Sequence, residues 1–356
     1  MESPDSKRPK VQNTKETKES GVSDDQSEIQ QMRLDMEQFV RAPHPFGSAR
    51  QHELATWILE RARVTDASVW RQDFSAEVPN PQATSESGAF ALTVTRKGAN
   101  LWAWPTGVAR GTSDPVGCVV LLGSHYDTKE IPGMRYVGAN DSGSSSVALL
   151  HILRKLRSTK QDTGKCTLVT VWFDGEESVL PGWRDGELKH PARIQDNTWG
   201  SRFAVSQLQP CTWKNSKARC LGTTQQGVPD GIAGNAVIAL VLLDMVGSPG
   251  IKLAREANST PALLSLAVNT AEELGFTDIF EKTLKNVEDD HIPFVRAGIA
   301  AVNLIDFSNL DYWHAPGDEI DSLDFSSITK ASRIALSTAL KISSNPQAFH
   351  LPADPR

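Results

Sequence analysis

Apolar residues first recur at helical spacing after Ser27. Ile29, Met32, Met36, Phe39 and Val40 share one face, and Ser27-x-x-Gln30 in front of them has the form of a capping box. A second Ser-x-x-Gln, Ser48 to Gln51, opens an amphipathic helix carrying Leu54, Trp57 and Ile58. Strands are predicted around 67–75 and 89–103, with the polar segment 79–88, PNPQATSESG, as the loop between them. Residues 118–123 form a short β-branched apolar run, as expected of a buried central strand. A helix over about 144–157 follows, with a basic end at Arg154 and Arg157 that complements the helix dipole. Then come a buried strand over 166–173, a helix near 200–208 and a strand over 237–243. Thr260 as N-cap and Pro261 in the first turn start another helix, which Gly275 closes. A strand over 300–305 and a helix over about 326–342 complete the series.

Buried strands alternating with helices specify an α/β fold, a central mixed and mostly parallel sheet flanked by helices on both faces. No internal repeat and no mid-chain linker interrupt the pattern, so one domain over residues 29–356 is expected, preceded by a disordered tail over 1–28. That tail holds five basic and seven acidic residues, two Val and no aromatic, too little apolar surface to offset the entropy of ordering. The longest apolar run, from Ala236 to Val246, already contains Asp244, so no membrane span is expected. The start, MESPDSKRPKVQ, lacks the apolar core of a signal peptide, which leaves two readings. Either the protein is cytoplasmic, or this is a mature form whose export signal has been removed.

Composition narrows the chemistry. With 37 Lys plus Arg against 43 Asp plus Glu, a net charge of −6 gives no global reason to bind nucleic acid. The four Cys are too few for a disulfide-built scaffold. Cys118 and Cys166 fall in buried strands, where free thiols behave as small hydrophobes. Cys211 and Cys220 bracket the loop CTWKNSKARC and can pair in an oxidising compartment. No strand is followed by a Gly-rich phosphate loop.

In open α/β sheets, function collects beyond the carboxyl ends of the strands. Here those positions read Ser124-His125-Tyr126-Asp127, Asp174-Gly175-Glu176-Glu177, Asp244-Met245-Val246-Gly247 and Asp306, followed by Tyr312-Trp313-His314. Gly138-Ala139-Asn140-Asp141-Ser142-Gly143 sits at the entrance of a helix between the first two. A Glu-Glu pair alone is usually a solvated surface pair, and a lone His-x-Asp usually a cap. Their convergence on the strand ends of one sheet is what argues for a site. His and carboxylates without Cys suit a catalytic zinc, for which Asp141, Glu177 and His314 supply three ligands from three loops. Glu176, beside a ligand, is then free to move a proton.

This pattern resembles the five-ligand set of the co-catalytic zinc aminopeptidases: His125-x-Asp127, Asp141, Glu176-Glu177, Asp244 and His314. It resembles more closely the zinc-dependent glutaminyl cyclases of animal type, which share that α/β/α sandwich. The residues carrying this are Ala49-Arg-Gln-His52, His125-Tyr-Asp127, Phe173-Asp-Gly-Glu-Glu177, Gly200-Ser-Arg202, Leu242-Leu-Asp-Met-Val-Gly247, Asp289-Asp-His-Ile-Pro-Phe294 and Trp313-His314. They span about residues 40–342, and the pairing of Asp-Asp-His-Ile-Pro-Phe with Trp-His is the specific part.

The resemblance implies conversion of N-terminal Gln of peptides or proteins to pyroglutamate. One Zn²⁺ per chain would be held by Asp141, Glu177 and His314. Glu176 would be the proton shuttle, with Asp244 and Asp289 hydrogen-bonded in its network, and Trp313 and Trp183 would line the substrate pocket. Trp199 competes with Trp183 for that place. The resemblance favours a secreted or periplasmic protein, and a monomer is expected. Animal-type cyclases commonly bridge a Cys before His-x-Asp to one after Gly-Ala-x-Asp. Here those positions read Ser124 and Ser144 to Ser146, so that bridge is absent. The rival enzyme is a two-zinc aminopeptidase with His125 and Asp244 on a second metal; a non-catalytic relic would not be expected to keep Glu176 and every ligand.

Overall fold

A strand that is apolar on both faces needs neighbours at both edges and helices above and below. β3 (Cys118–His125) and β7 (Ala236–Asp244) are buried at every residue, and they lie side by side in the middle of the sheet. The computed structural model describes residues 16–84, 86–88, 91–106, 116–159 and 164–351. In chain order these form α1 (Glu16–Phe39), α2 (Ala49–Arg63), β1 (Ala67–Pro79), β2 (Thr93–Pro105), β3, α3 (Ser145–Thr159), β4 (Thr167–Phe173), α4 (Asp185–Leu188), α5 (Trp199–Ser206), β5 (Gln209–Trp213), β6 (Ser216–Cys220), β7, β8 (Leu253–Glu256), α6 (Pro261–Glu273), β9 (Phe280–Lys285), α7 (His291–Arg296), β10 (Ala300–Ile305) and α8 (Phe325–Ser344).

The main sheet has eight strands in the order β1-β2-β4-β3-β7-β6-β5, with β10 also paired to β7. The central strands β4, β3, β7 and β10 are parallel. Only β2 and β6 run against the rest. The sheet is therefore mixed and mostly parallel, as the pattern implied. Helices α1, α2, α3, α6 and α8 cover one face and α5 and α7 the other. β8 and β9 form a separate parallel pair.

Several local expectations change. α1 already runs from Glu16, inside the stretch expected to be a tail; residues 1–15 of that stretch lie outside the described residues. No proline interrupts residues 16–27. The apolar pattern marks where α1 meets the core, not where it begins. Ser48 caps α2 by accepting the Gln51 N–H at 3.1 Å, but the Gln51 side chain turns to Tyr126 and Asp174 instead of back to the cap. The segment CTWKNSKARC is the β5–β6 hairpin, turning at Lys214 and Asn215, both at positive φ.

Cys118 and Cys166 are not free thiols. Val119 pairs with Thr167, which sets the two cysteines opposite each other on adjacent parallel strands, with Cα atoms 4.7 Å apart and a disulfide between them. Cys211 and Cys220 also form a disulfide. Ser124 and Ser142 join through their hydroxyls at 2.8 Å.

Candidate active site

β3 ends on His125, whose Nε2 lies 3.1 Å from Asp141 Oδ1 and 3.4 Å from Asp244 Oδ1. Asp244 is the last residue of the neighbouring β7, so strand pairing alone brings these two together. Asp141 arrives from the helical turn Ala139–Ser144, entered through Gly138 at φ +57°. A Cβ on Gly138 would sit 2.0 Å from the Asp141 carbonyl oxygen, so only glycine lets the chain fold back there. Asp318 then fixes the turn, accepting the backbone N–H of Asn140 at 2.6 Å and of Asp141 at 3.2 Å. The Tyr136 hydroxyl lies 3.2 Å from Asp141 Oδ2 and 3.1 Å from Asp318 Oδ2.

The Glu176-Glu177 pair leaves the end of β4. Asp127 orients both, its carboxylate accepting the Glu176 N–H at 3.0 Å and the Glu177 N–H at 3.2 Å. From the other side, the N–H groups of Thr198, Trp199 and Gly200 donate to the carbonyls of Glu176, Gly175 and Asp174. His314, at φ +52°, points its Nε2 to within 2.8 Å of Glu177 Oε1 and 3.3 Å of Asp141 Oδ2. The Trp313 ring stacks on the His314 imidazole with centroids 4.4 Å apart. Lys129, buried beside the site, donates to the carbonyls of Ser178 and Leu180 and sits 3.9 Å from Glu177 Oε2.

Two N/O triads result, His125–Asp141–Asp244 and Asp141–Glu177–His314, sharing Asp141. Burial pulls both imidazoles toward neutrality, yet the surrounding carboxylates more than reverse it. His314 is pushed up to about 10 by Glu177 and Asp141, and His125 also rises. The same contacts lower Asp141. Glu176 is raised well above an ordinary glutamate by burial first, then by the charges of Asp289 and Glu177. Burial raises Asp244 to about 7 and also raises Asp289. Glu177 Oε2 is buried without a hydrogen-bond partner, and His125 Nε2 and Asp244 Oδ1 are in ion-pair range but not in hydrogen-bond geometry. So many inward-facing anionic and imidazole donors, not all hydrogen-bonded, fit a divalent cation, and an N/O set without sulfur fits zinc.

Asp141, Glu176, Glu177, Trp183, Asp244, Asp289, Trp313 and His314 line one cavity of about 290 Å³, while His125, Asp127, Asp306 and Trp199 do not. Met245, Val287, Ile305 and Phe307 supply its apolar wall. Trp183 lines this cavity, whereas the Trp199 ring stacks under the Arg202 guanidinium. Asp244 and Asp289 share the cavity with Glu176 without a direct hydrogen bond to it; Asp289 instead accepts from Asn303 Nδ2 at 2.7 Å. Asp306 turns away to accept the N–H of Lys252 and of Ser308. Sequence reasoning gave no role to Asp127, Lys129, Tyr136 or Asp318. Asp127 had a signal in His-x-Asp, whereas the other three act through contacts with no local pattern. A second cavity of about 310 Å³, lined by Asp311, Tyr312, Asp318 and Asp321 among others, shares Asp141, Met245 and Trp313 with the first.

A model of peptidase family M28 matches residues 108–339. The glutaminyl-peptide cyclotransferase of Bos taurus is 24% identical over 247 residues, covering 60% of this chain and 60% of that protein. This chain thus matches about three fifths of the relative's length. A glutaminyl cyclase from an Acidobacteriales bacterium superposes with a TM-score of 0.65 at 23% identity, covering 89% of this chain and 94% of the other. A leucine aminopeptidase precursor from Bacteroides thetaiotaomicron VPI-5482 superposes with a TM-score of 0.65 at 17% identity, covering 89% and 97%. These structures share the fold, one α/β domain with helices on both faces of a mixed sheet.

Proposed function

The chain belongs to peptidase family M28, and from that premise we propose that it is a zinc-dependent glutaminyl-peptide cyclotransferase, closing N-terminal glutamine of peptides or proteins to pyroglutamate with loss of ammonia. Supporting this are the curated glutaminyl-peptide cyclotransferases among its relatives. The observation that carries the reading is one cavity that brings together the proposed ligands Asp141, Glu177 and His314, the carboxylates Glu176, Asp244 and Asp289, and the rings of Trp183 and Trp313.

Asp141, Glu177 and His314 would hold one Zn²⁺. When bound, the ion supplies a Lewis acid for the glutamine side-chain carbonyl. The chain's own residues position and deprotonate. A bond forms from the substrate's α-amine nitrogen to its side-chain amide carbon, and the bond from that carbon to the amide nitrogen breaks. Glu176 takes a proton from the attacking nitrogen and returns one to the departing nitrogen, a task suited to a carboxylate raised by burial. Asp244 and Asp289, also raised, keep that proton inside the cavity. Trp313 and Trp183, with Phe307 and Ile305, pack the five-membered ring and exclude water.

Incubation with a Gln-initiated dipeptide amide tests this: lactam and ammonia are expected in equal amounts. Release of free glutamine without lactam would instead identify an aminopeptidase. The His125–Asp141–Asp244 triad is the observation favouring that second reading, which requires two metal ions per chain. Two disulfides support an oxidising compartment, secreted or periplasmic. Among the described residues, no helix is long and apolar enough to cross a membrane.

A further inference from the structure

The Asp-Asp-His stretch sends its histidine away from the cavity. His291 opens α7 fully buried, with Nε2 3.0 Å from Oε2 of Glu256, itself fully buried at the end of β8. Glu256 Oε2 also accepts the Ser259 hydroxyl at 2.9 Å. Its Oε1 accepts the N–H of Asn258 at 2.8 Å and of Val287 at 3.3 Å. One carboxylate therefore grips the chain at residues 287 and 291, on both sides of Asp289.

A second line leads from the same carboxylate to the same place. The Ser259 hydroxyl accepts the Asn303 N–H at 3.0 Å, and Asn303 Nδ2 donates to Asp289 Oδ2 at 2.7 Å. Every member of this line is buried. Burial favours the neutral form of Glu256, but the bond to His291, its charge and the donors from Asn258 and Ser259 bring it down to about 2. A buried carboxylate this well satisfied holds one geometry, because each alternative leaves a donor or an acceptor unpaired. Val287 and Asp289 both line the reaction cavity, so what Glu256 holds is one wall of it.

We propose that Glu256 and His291 form a buried clamp that fixes Asp289 against the reaction cavity, making Glu256 a positioning residue for proton transfer at Glu176. This rests on the cyclase reading. Glu256→Gln keeps the shape and removes the charge. With the zinc-loaded enzyme and a Gln-initiated dipeptide amide, E256Q is expected to lower kcat by roughly tenfold to a hundredfold, with zinc content unchanged and KM within about twofold. Placed on Asp289→Asn, E256Q should add less than about twofold, because both changes act on one group.

A full additional loss in the Asp289→Asn background overturns the proposal, as does a lowered Tm with wild-type kcat. Should E256Q not fold, Ser259→Ala cuts only the line to Asn303; it must lower kcat at constant KM, and a wild-type kcat there overturns the clamp. Hydrogen exchange at the Val287 amide separates the two readings. Exchange should quicken in E256Q even if the wild-type enzyme makes no lactam, a result that would sink the cyclase reading alone.

Discussion

Glu176 and Glu177 have identical side chains, and what divides their roles is what each carboxylate faces. Glu177 meets His314 and lies near Lys129, whereas burial and the charges of Asp289, Glu177 and Asp290 raise the Glu176 carboxyl against the opposing charge of His125. Glu177 is therefore the member suited to ligate a cation and Glu176 the member suited to carry a proton. Glu176→Gln should retain zinc and lower kcat by about 10²- to 10⁴-fold, the usual worth of a positioned acid–base. Glu177→Gln should lose zinc on dialysis, as metal analysis would show; the opposite pair of results would mean the roles are exchanged. Asp318 touches Asp141 only through backbone N–H groups and the Tyr136 hydroxyl, yet it sets where that carboxylate points. Asp318→Asn should weaken zinc by about 10- to 100-fold in chelator competition, with turnover at saturating zinc much less affected. Unchanged zinc affinity would reduce Asp318 to a turn residue.

Elements with a strong apolar period were legible in the sequence, and β10 falls on its expected bounds because all six residues are buried. Strand-end chemistry was legible for a related reason. A parallel strand delivers its last residues to one edge of the sheet, so His125, Glu176, Glu177 and Asp244 converge by topology alone. Elements without apolar contrast were not legible. β5 and β6 are only five residues each, and neither is apolar along its length, so their residues read as a loop. The Cys118–Cys166 bridge was hidden because pairing depends on the register between strands far apart in sequence. Thr260 shows a similar limit: its hydroxyl accepts the Ala301 N–H of β10 and makes no cap bond to α6. The loop carrying Trp313 was legible only as a neighbour of His314. The ring proves 41% exposed, a wall shared by both cavities. Trp313→Ala should raise KM for dipeptide amides by about tenfold, the worth of one aromatic contact, and leave zinc in place. Unchanged kinetics would remove Trp313 from the substrate path.

At the scale of the molecule, charge and burial pull on function and stability separately. Among the described residues, no Lys or Arg lines either cavity, while Asp311, Asp318 and Asp321 line the second and Glu288 the first. Gln-Lys-amide should therefore be turned over with a lower KM than Gln-Glu-amide at low salt, and the difference should shrink as salt is added. Equal KM values at low salt would defeat that expectation. Stability also follows buried groups that line neither cavity. His44 and His151 are buried and held neutral, each lowered from 6.5 to about 4. For His44 the cause is burial, aided by Arg50; for His151 it is burial, aided by Lys155 and Arg154. Between those pH values the unfolded chain binds a proton at each position that the folded chain refuses, so stability rises with pH across this window. The stabilisation is complete above 6.5 and is lost as pH falls toward 4. Each histidine contributes at most about 3 kcal/mol. Buried carboxylates such as Asp244 and Asp318, raised to about 7, shift stability in the opposite sense, so the wild-type curve alone mixes the two effects. The difference between wild type and His151→Gln isolates one histidine. Urea unfolding should show the wild type losing stability faster than the variant from pH 6.5 to pH 4, and parallel curves would show that His151 accepts its proton without unfolding.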